Sequence, residues 1–195
     1  MDSKTKFLIA VAALAVVLPA PSLHAQGGDL PVSFGRNDIL PLTAIDLQTL
    51  PAVNVPLLIA EDALYAELDH IDRIGAWIKT DISPANVGTW ETLPEGGELW
   101  RVQIVSTGAL WLAPAFGTFR LPSGAGMWVY DPLYEQVEGG YGIDDVRPHG
   151  QRAVAPLSDE HVVVELHWPA PLRGQTANMH MGAMFHGYKP LFPQD

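Results

Sequence analysis

The sequence predicts an all-β fold, a mainly antiparallel, jelly-roll-like β-sandwich. From Ala76 onward, apolar residues recur with a period of two in several short segments. Turn residues separate these segments at intervals of roughly 10 to 15 residues, a spacing typical of sandwiches. The chain also contains 18 Gly and 17 Pro among 195 residues, which favours turns over long helices. The predicted sandwich domain spans residues 76–189.

Six segments carry this alternation, and each is predicted to form a strand: AWIKTDIS (76–83), LWRVQIVS (99–106), ALWLAPAF (109–116), GMWVYD (126–131), HVVVELHW (161–168) and ANMHMGAMFHGY (177–188). Side chains at even offsets in a strand share one face. In the fifth segment, the predicted core face consists of Val162, Val164 and Leu166. The opposite face is predicted to meet solvent and consists of His161, Glu165 and His167.

Residues 26–57 hold scattered prolines without a sustained period, so we expect an extended or poorly ordered lead-in. A short helical segment is predicted over 58–75. Leu64 and Leu68 are four residues apart there, and acids stand near its first turn. Gly75 is predicted to end this helix, and residues 190–195 are a C-terminal tail.

The first 25 residues are predicted to be a signal peptide. Lys4 and Lys6 precede an apolar run over 7–18, which is too short to cross a bilayer comfortably. Prolines follow this run, and Ala25 offers a small residue for cleavage. The predicted location is therefore secreted or periplasmic. The alternative is a retained membrane anchor.

The chain carries a net charge of −11 and contains no Cys. The predicted leader removes one acid and two bases, so the mature chain stays strongly acidic. Such a charge argues against binding to nucleic acid or to anionic membranes. Without Cys the chain forms no disulfide, although the predicted compartment is oxidising.

Two tryptophans, Trp100 and Trp111, stand in the apolar stretch GELWRVQIVSTGALWLAPAF (97–116). We expect both to be packing residues of two core strands. The alternative is a platform that stacks on a sugar ring, since an aromatic face suits the apolar face of a pyranose.

Candidate metal ligands fall into four groups: His161 with Glu165 and His167, His180 with His186, Asp144 with Asp145, and Asp159 with Glu160. The first two groups share strand parity, as a zinc site requires. The acid pairs stand near predicted turns, where loop oxygens bind calcium. None has the spacing of an established metal motif, so we predict solvated side chains and no metal or cofactor.

The sequence holds no G-x-S-x-G and no H-E-x-x-H pattern. The glycine-rich pieces GAG (124–126) and GGYG (139–142) lack a basic residue and a following helix, so they are predicted to be turns rather than phosphate cradles. We therefore predict that this chain has no catalytic residues and is not an enzyme.

Segments across more than half of the chain resemble the non-catalytic N-terminal region of secreted bacterial serine proteases of the trypsin-like, lysyl endopeptidase type. The matching pieces are EDA (61–63), SPANVGTWE (83–91), GGELWRVQI (96–104), STGALWL (106–112), FRLPSGAGMWVYD (119–131), GGYG (139–142), HG (149–150), VVVELHWPA (162–170) and HGYK (186–189). None of these pieces is a catalytic motif.

The resemblance implies a sandwich that precedes a protease domain and helps it to fold, masks it or delivers it. In such precursors the catalytic domain follows the HGY strand, whereas this chain reads HGYKPLFPQD and stops. We expect either a truncated or split precursor or a stand-alone copy of the domain. The alternative function is a secreted binding module for carbohydrate or for a surface protein.

Export can be tested by N-terminal sequencing of the protein recovered outside the cytoplasm. We expect the mature chain to begin at Gln26 or within a few residues of it, because Ala25 is the small residue before the predicted cleavage point. An intact Met1 on a membrane-bound form would contradict this prediction.

Overall fold

The computed structural model describes residues 24–26, 30–66 and 72–191. The predicted leader up to residue 23 and the tail residues 192–195 lie outside this range. The described residues form one α-helix and eleven strands, which confirms the all-β prediction: β1 (His24–Gln26), β2 (Leu47–Thr49), α1 (Val55–Ala66), β3 (Gly75–Ile82), β4 (Thr89–Leu93), β5 (Gly97–Val105), β6 (Trp111–Arg120), β7 (Gly126–Tyr130), β8 (Gln136–Tyr141), β9 (Arg152–Ala153), β10 (His161–Trp168) and β11 (Asn178–Gly187).

The strands form two sheets. The seven-stranded sheet has the order β1-β8-β7-β10-β5-β2, and β4 also pairs with β5. The four-stranded sheet has the order β3-β11-β6-β9. Most pairs are antiparallel, while β1 pairs with β8 and β2 pairs with β5 in parallel. The predicted cleavage point after Ala25 falls within β1.

The main core lies between the two sheets. Val162, Val164 and Leu166 of β10 are each at most 1% exposed and belong to this core, so the predicted facing of that strand is confirmed. Trp100 and Trp111 are also buried. Their predicted role as packing residues is therefore confirmed.

The outer face of the seven-stranded sheet is not open to solvent, because residues 30–50, the N-terminal strap, lie across it. Gln103 of β5 donates from Nε2 to the carbonyl oxygen of Leu42 at 2.8 Å, and Arg101 donates to that of Leu40 at 2.6 Å. Glu165 of β10 is fully buried beneath the strap, so its predicted exposure to solvent is wrong. The strap supplies partners to polar side chains that an open face would leave to water.

The helix begins at Val55 instead of Leu58, because Asn54 accepts a hydrogen bond from Leu57 N at 3.2 Å and Pro56 is tolerated in a first turn. Residues 72–74 are not helical, and Gly75, predicted to end the helix, is the first residue of β3. No helix among the described residues is long and apolar enough to cross a membrane.

Polar contacts anchor α1 to the end of β11. Asp62 of α1 accepts hydrogen bonds from Tyr188 Oη at 2.8 Å and Arg73 Nε at 3.0 Å, and Lys189 Nζ lies 2.9 Å from the same carboxylate. Burial opposes ionisation of this group, but the three donors outweigh it and lower the pKa of Asp62 to about 2. The helix is thereby fixed beside the C-terminal end of the last strand.

Three tryptophans pack directly on glycines. The indole of Trp100 occupies the space that a Cβ at Gly88 would need, and Trp111 does the same at Gly187. Trp128 covers Gly139, which lies in β8 at a bulge rather than in the predicted turn. The rings leave no room for a side chain at Gly88 and Gly187, while at Gly139 the backbone of β7 also blocks a Cβ. Gly88 and Gly139 have positive φ as well, which disfavours any other residue.

Val164→Asp should destabilise the protein by about 3 kcal/mol or more, because it buries a charge without a partner in the main core. Urea denaturation measures the loss. Ala155→Asp, at an exposed site, is the matched control and should unfold like the wild type. A Val164→Asp variant that unfolds at the wild-type urea concentration would contradict the placement of Val164 on the core side of β10.

Candidate functional site

The outer face of the four-stranded sheet presents rows of side chains in register. Phe185 of β11 lies opposite Trp77 of β3 on one side and Ala113 of β6 on the other. Two residues along, Ala183 lies opposite Ala115, which in turn pairs with Ala153 of β9. Directly paired residues project from the same face. An aromatic row therefore borders a row of alanines.

Trp77 is the most exposed tryptophan described, at 58% of its surface. Its ring meets that of Phe185 edge to face, with centroids 4.3 Å apart and planes at 85°. This geometry is the favourable one for two aromatic rings. Phe185 thus fixes the orientation of an indole whose remaining surface faces water.

The alanine row forms the floor of a groove of about 480 Å³, which we call the Trp77 groove. Gly117 and Gly182 extend the floor, and Trp77 forms one wall. The opposite rim carries His149, Gln151 and Arg152. A floor made of Ala and Gly leaves space above the sheet that larger side chains would fill.

The rim is held by its own contacts. Gln151 N donates to His149 Nδ1 at 3.1 Å. Arg152 donates to Asp145 Oδ1 at 3.2 Å, and its guanidinium lies 3.8 Å from the ring centre of Tyr141. The positive charge of Arg152 is therefore already paired within the protein.

A second groove of about 430 Å³, the terminal groove, lies on the same face and is more apolar. It meets the Trp77 groove at Ala153. Its other lining residues include Ile74, Trp111, Pro114, Val154, Pro156 and Leu191. This groove lies beside the point at which the described chain leaves the last strand.

A buried polar cluster, the Glu165 cluster, joins the strap to the seven-stranded sheet. Glu165 accepts hydrogen bonds from Ser33 N at 3.1 Å and Tyr130 Oη at 2.8 Å. Ser33 Oγ also contacts the hydroxyl groups of Tyr130 and Tyr134. The two tyrosine rings stack with centroids 4.6 Å apart.

Burial raises the pKa of Glu165, although the hydrogen bonds from Ser33 and Tyr130 oppose the shift. Burial also raises the pKa of Tyr130, and the nearby carboxyl of Glu165 adds to this effect. The cluster is closed to solvent, since Ser33, Tyr130 and Glu165 are all buried. Its geometry suits attachment of the strap rather than contact with a ligand.

The candidate zinc ligands of β10 do not converge on a metal site, since Glu165 is committed to the cluster. In the second candidate pair, His180 Nε2 lies 2.9 Å from Asp81 Oδ1, while His186 is buried. No group of three or more His, Cys, Asp or Glu in the described parts of the chain is placed to hold a metal ion.

Three of the four candidate calcium acids accept hydrogen bonds from backbone N–H groups at turns. Asp145 Oδ2 accepts a hydrogen bond from Gly142 N at 3.0 Å. Asp159 Oδ1 accepts one from His161 N at 2.8 Å, and Glu160 Oε2 accepts one from Gly108 N at 2.6 Å. These carboxylates stabilise the loops that connect the strands.

One serine and one histidine meet in the interior. Ser106 Oγ lies 2.7 Å from His186 Nδ1, and both residues are at most 1% exposed. His186 Nε2 is buried without a hydrogen-bond partner, and burial lowers the pKa of this histidine. A catalytic serine must reach its substrate, so this pair is a packing contact.

Sequence reasoning missed both the strap and the Glu165 cluster, although one signal pointed to them. Val162, Val163 and Val164 are consecutive and apolar, and such a run indicates a strand that is covered on both faces. Val163 is indeed buried on the outer side with Ile45 and Tyr130.

Comparison of the sequence with models of known protein families finds no match.

Glu165→Gln should change how stability depends on pH. Because the pKa of Glu165 is raised by burial, the folded state keeps this proton to a higher pH than the unfolded chain does, so the contribution of Glu165 to the free energy of unfolding falls as pH rises above the ordinary value of 4.5. Glutamine cannot ionise, so the stability of the variant relative to the wild type should increase from pH 4.5 upward. Urea denaturation at several pH values measures this difference.

The matched control is Glu135→Gln, which alters an exposed carboxylate at the turn before β8. The difference in free energy of unfolding between Glu135→Gln and the wild type should not show the increase with pH that is expected for Glu165→Gln. A Glu165→Gln difference that stays constant with pH would show that Glu165 is not held in its protonated form by burial.

Proposed function

We propose that this chain is a non-catalytic binding domain of an exported protein, and that its partner is a trypsin-like serine protease domain in cis or in trans. The proposal combines the resemblance stated above with one structural observation. The segments that carry the resemblance contribute to both sheets of the sandwich, from β4 and β5 to β11. They therefore belong to one folded unit.

The observation that carries the proposal is a group of exposed apolar side chains near the C-terminal end of β11. Leu57 and Leu64 of α1, which are two turns apart on one face of the helix, are more than half exposed, and Leu64 reaches 70%. Ile74 and Leu110 are exposed as well. Ile74 O accepts a hydrogen bond from Tyr188 N, and Gly187 O accepts one from Leu110 N, so both residues lie at this end of the sheet. We call Leu57, Leu64, Ile74 and Leu110 the terminal surface.

The anchoring of α1 places its apolar side chains at this end. Asp62 bonds to Tyr188 and lies close to Lys189, so the helix lies against the residues that follow β11. A contiguous patch of exposed apolar groups is a common mark of contact with another protein. The terminal groove adds further apolar surface there.

The position of the terminal surface fits the proposed partner. In the resembling precursors the catalytic domain follows the HGY strand, which corresponds here to residues 186–188. A catalytic domain attached at this point would lie next to the terminal surface, and one supplied as a separate chain would find the same apolar surface exposed. The net charge of −11 favours approach to a basic surface, and salt weakens this attraction.

A refolding assay tests the proposal. Residues 26–195, added to a lysyl endopeptidase-type catalytic domain that refolds from denaturant, should change the yield of active protease or inhibit it. Long-range β pairings make such refolding slow, so a bound partner has a step to influence. The domain alone should not cleave lysyl or arginyl ester substrates.

The double variant Leu57→Glu/Leu64→Glu should lose this effect, because it places charges on the terminal surface without touching the core. Leu133→Glu, at a residue 75% exposed between β7 and β8, is the matched control and should act like the wild type. No effect of the wild-type domain at any salt concentration, or cleavage of the esters by the domain itself, would overturn the proposal.

A further inference from the structure

We propose that the Trp77 groove binds a neutral glycan, with one hexopyranose ring stacked on Trp77. This inference does not depend on the protease proposal, because the Trp77 groove and the terminal surface use different side chains. It follows from four features of the groove: the wall, the floor, the rim and the charge.

The wall is an indole that is exposed and held in place. A pyranose ring has a face of C–H groups, and an aromatic ring covers that face well. Trp77 leaves more than half of its surface to water, while Phe185 locks its orientation from the side. A ligand therefore finds the ring already oriented, and the protein loses less conformational entropy when the ligand binds.

The floor consists mainly of Ala and Gly, and Phe116 is the one larger side chain that lines it besides the wall and the rim. Ala115, Ala153 and Ala183 lie in one row beneath the opening, and Gly117 continues it. A Cβ built at Gly117 would meet no atom within 4 Å. The volume of about 480 Å³ lies within the range of small-ligand sites, roughly 300 to 1,000 Å³.

The rim supplies hydrogen-bonding groups opposite the indole. Gln151 is exposed, and its side-chain amide both donates and accepts, as sugar hydroxyl groups require. His149 is exposed beside it. An apolar wall facing a polar rim matches a sugar ring, which has an apolar face and polar edges.

The charge distribution selects a neutral glycan. Among the residues that line the groove, Arg152 is the cation, and its charge is paired with Asp145 and covered by the Tyr141 ring. Lys79 lies opposite Ala183 at the β3 end of the same row and does not line the groove. The whole chain carries −11, which repels anionic polysaccharides at a distance.

An extended peptide suits the groove less well. Peptides that bind to sheets add a strand at an open edge. The central floor strands offer no such edge, since β11 pairs with β3 and β6, and β6 pairs with β11 and β9. The edge strand β9 is only two residues long, which leaves little backbone for an added strand.

The test uses residues 26–195 and a panel of neutral hexasaccharides: cellohexaose, chitohexaose, maltohexaose, laminarihexaose and mannohexaose. Calorimetry and tryptophan fluorescence should show saturable binding of at least one of them. Trp77→Ala should weaken that binding about tenfold or more, since it removes the stacking wall. Trp90→Ala is the matched control, because Trp90 is partly exposed at a different site.

Gly117→Val provides a second variant that leaves Trp77 in place. Valine suits a strand, and Gly117 lies in open space, so the domain should keep its unfolding midpoint. The added side chain should block the floor and abolish glycan binding. Leu57→Glu/Leu64→Glu should leave glycan binding unchanged, which separates this result from that of the protease assay.

Three outcomes would overturn the inference. One is the lack of binding to every hexasaccharide in the panel. Another is binding that survives both Trp77→Ala and Gly117→Val. The third is Trp77-dependent binding only to an anionic glycan, such as a heparin-derived hexasaccharide, or only to an unstructured peptide such as denatured casein.

Discussion

The burial of the polar outer side of β5 and β10 beneath the strap is the constraint on which the rest of the structure depends. These two strands lie in the middle of the seven-stranded sheet, and their inner side chains build the main core. Arg101, Gln103 and Glu165 point the other way and are nonetheless buried. Polar groups without water need partners, and the strap supplies them from its backbone and from Ser33. The strap and the central strand pair therefore depend on each other.

The two sheets consequently differ in what they offer to other molecules. The seven-stranded sheet is covered on both sides, by the core and by the strap. The four-stranded sheet has no comparable cover on its outer side among the residues that the structure describes. Small residues at its centre and aromatic rings at its margin make two adjoining grooves there. The Trp77 groove and the terminal groove therefore both lie on the four-stranded sheet.

The sequence was informative where the determinants of structure are local. The alternation of apolar residues predicted the sandwich and six of its strands, and the core face of β10 followed from parity alone. Sequence reasoning failed where the partner of a side chain is distant in the chain. Glu165 reads as a solvent-facing residue until Ser33, 132 positions away, is brought against it. Strands as short as β2 and β9 carry too few residues for a period to show. The Trp77 groove could not be predicted for the same reason, since only the fold brings Ala115 and Ala153 to the same groove as Trp77.

The packing of indoles on glycines limits the order in which the sequence can change. Gly187 cannot gain a side chain while Trp111 lies across it, and the same holds for Gly88 under Trp100. A smaller residue in place of either tryptophan would leave a hole in the interior, with a stability cost of its own. The two members of each pair are therefore not independent, and their substitutions are strongly non-additive. Divergence at these sites has to pass through the tryptophan first, so related sequences should lose the ring before they lose the glycine.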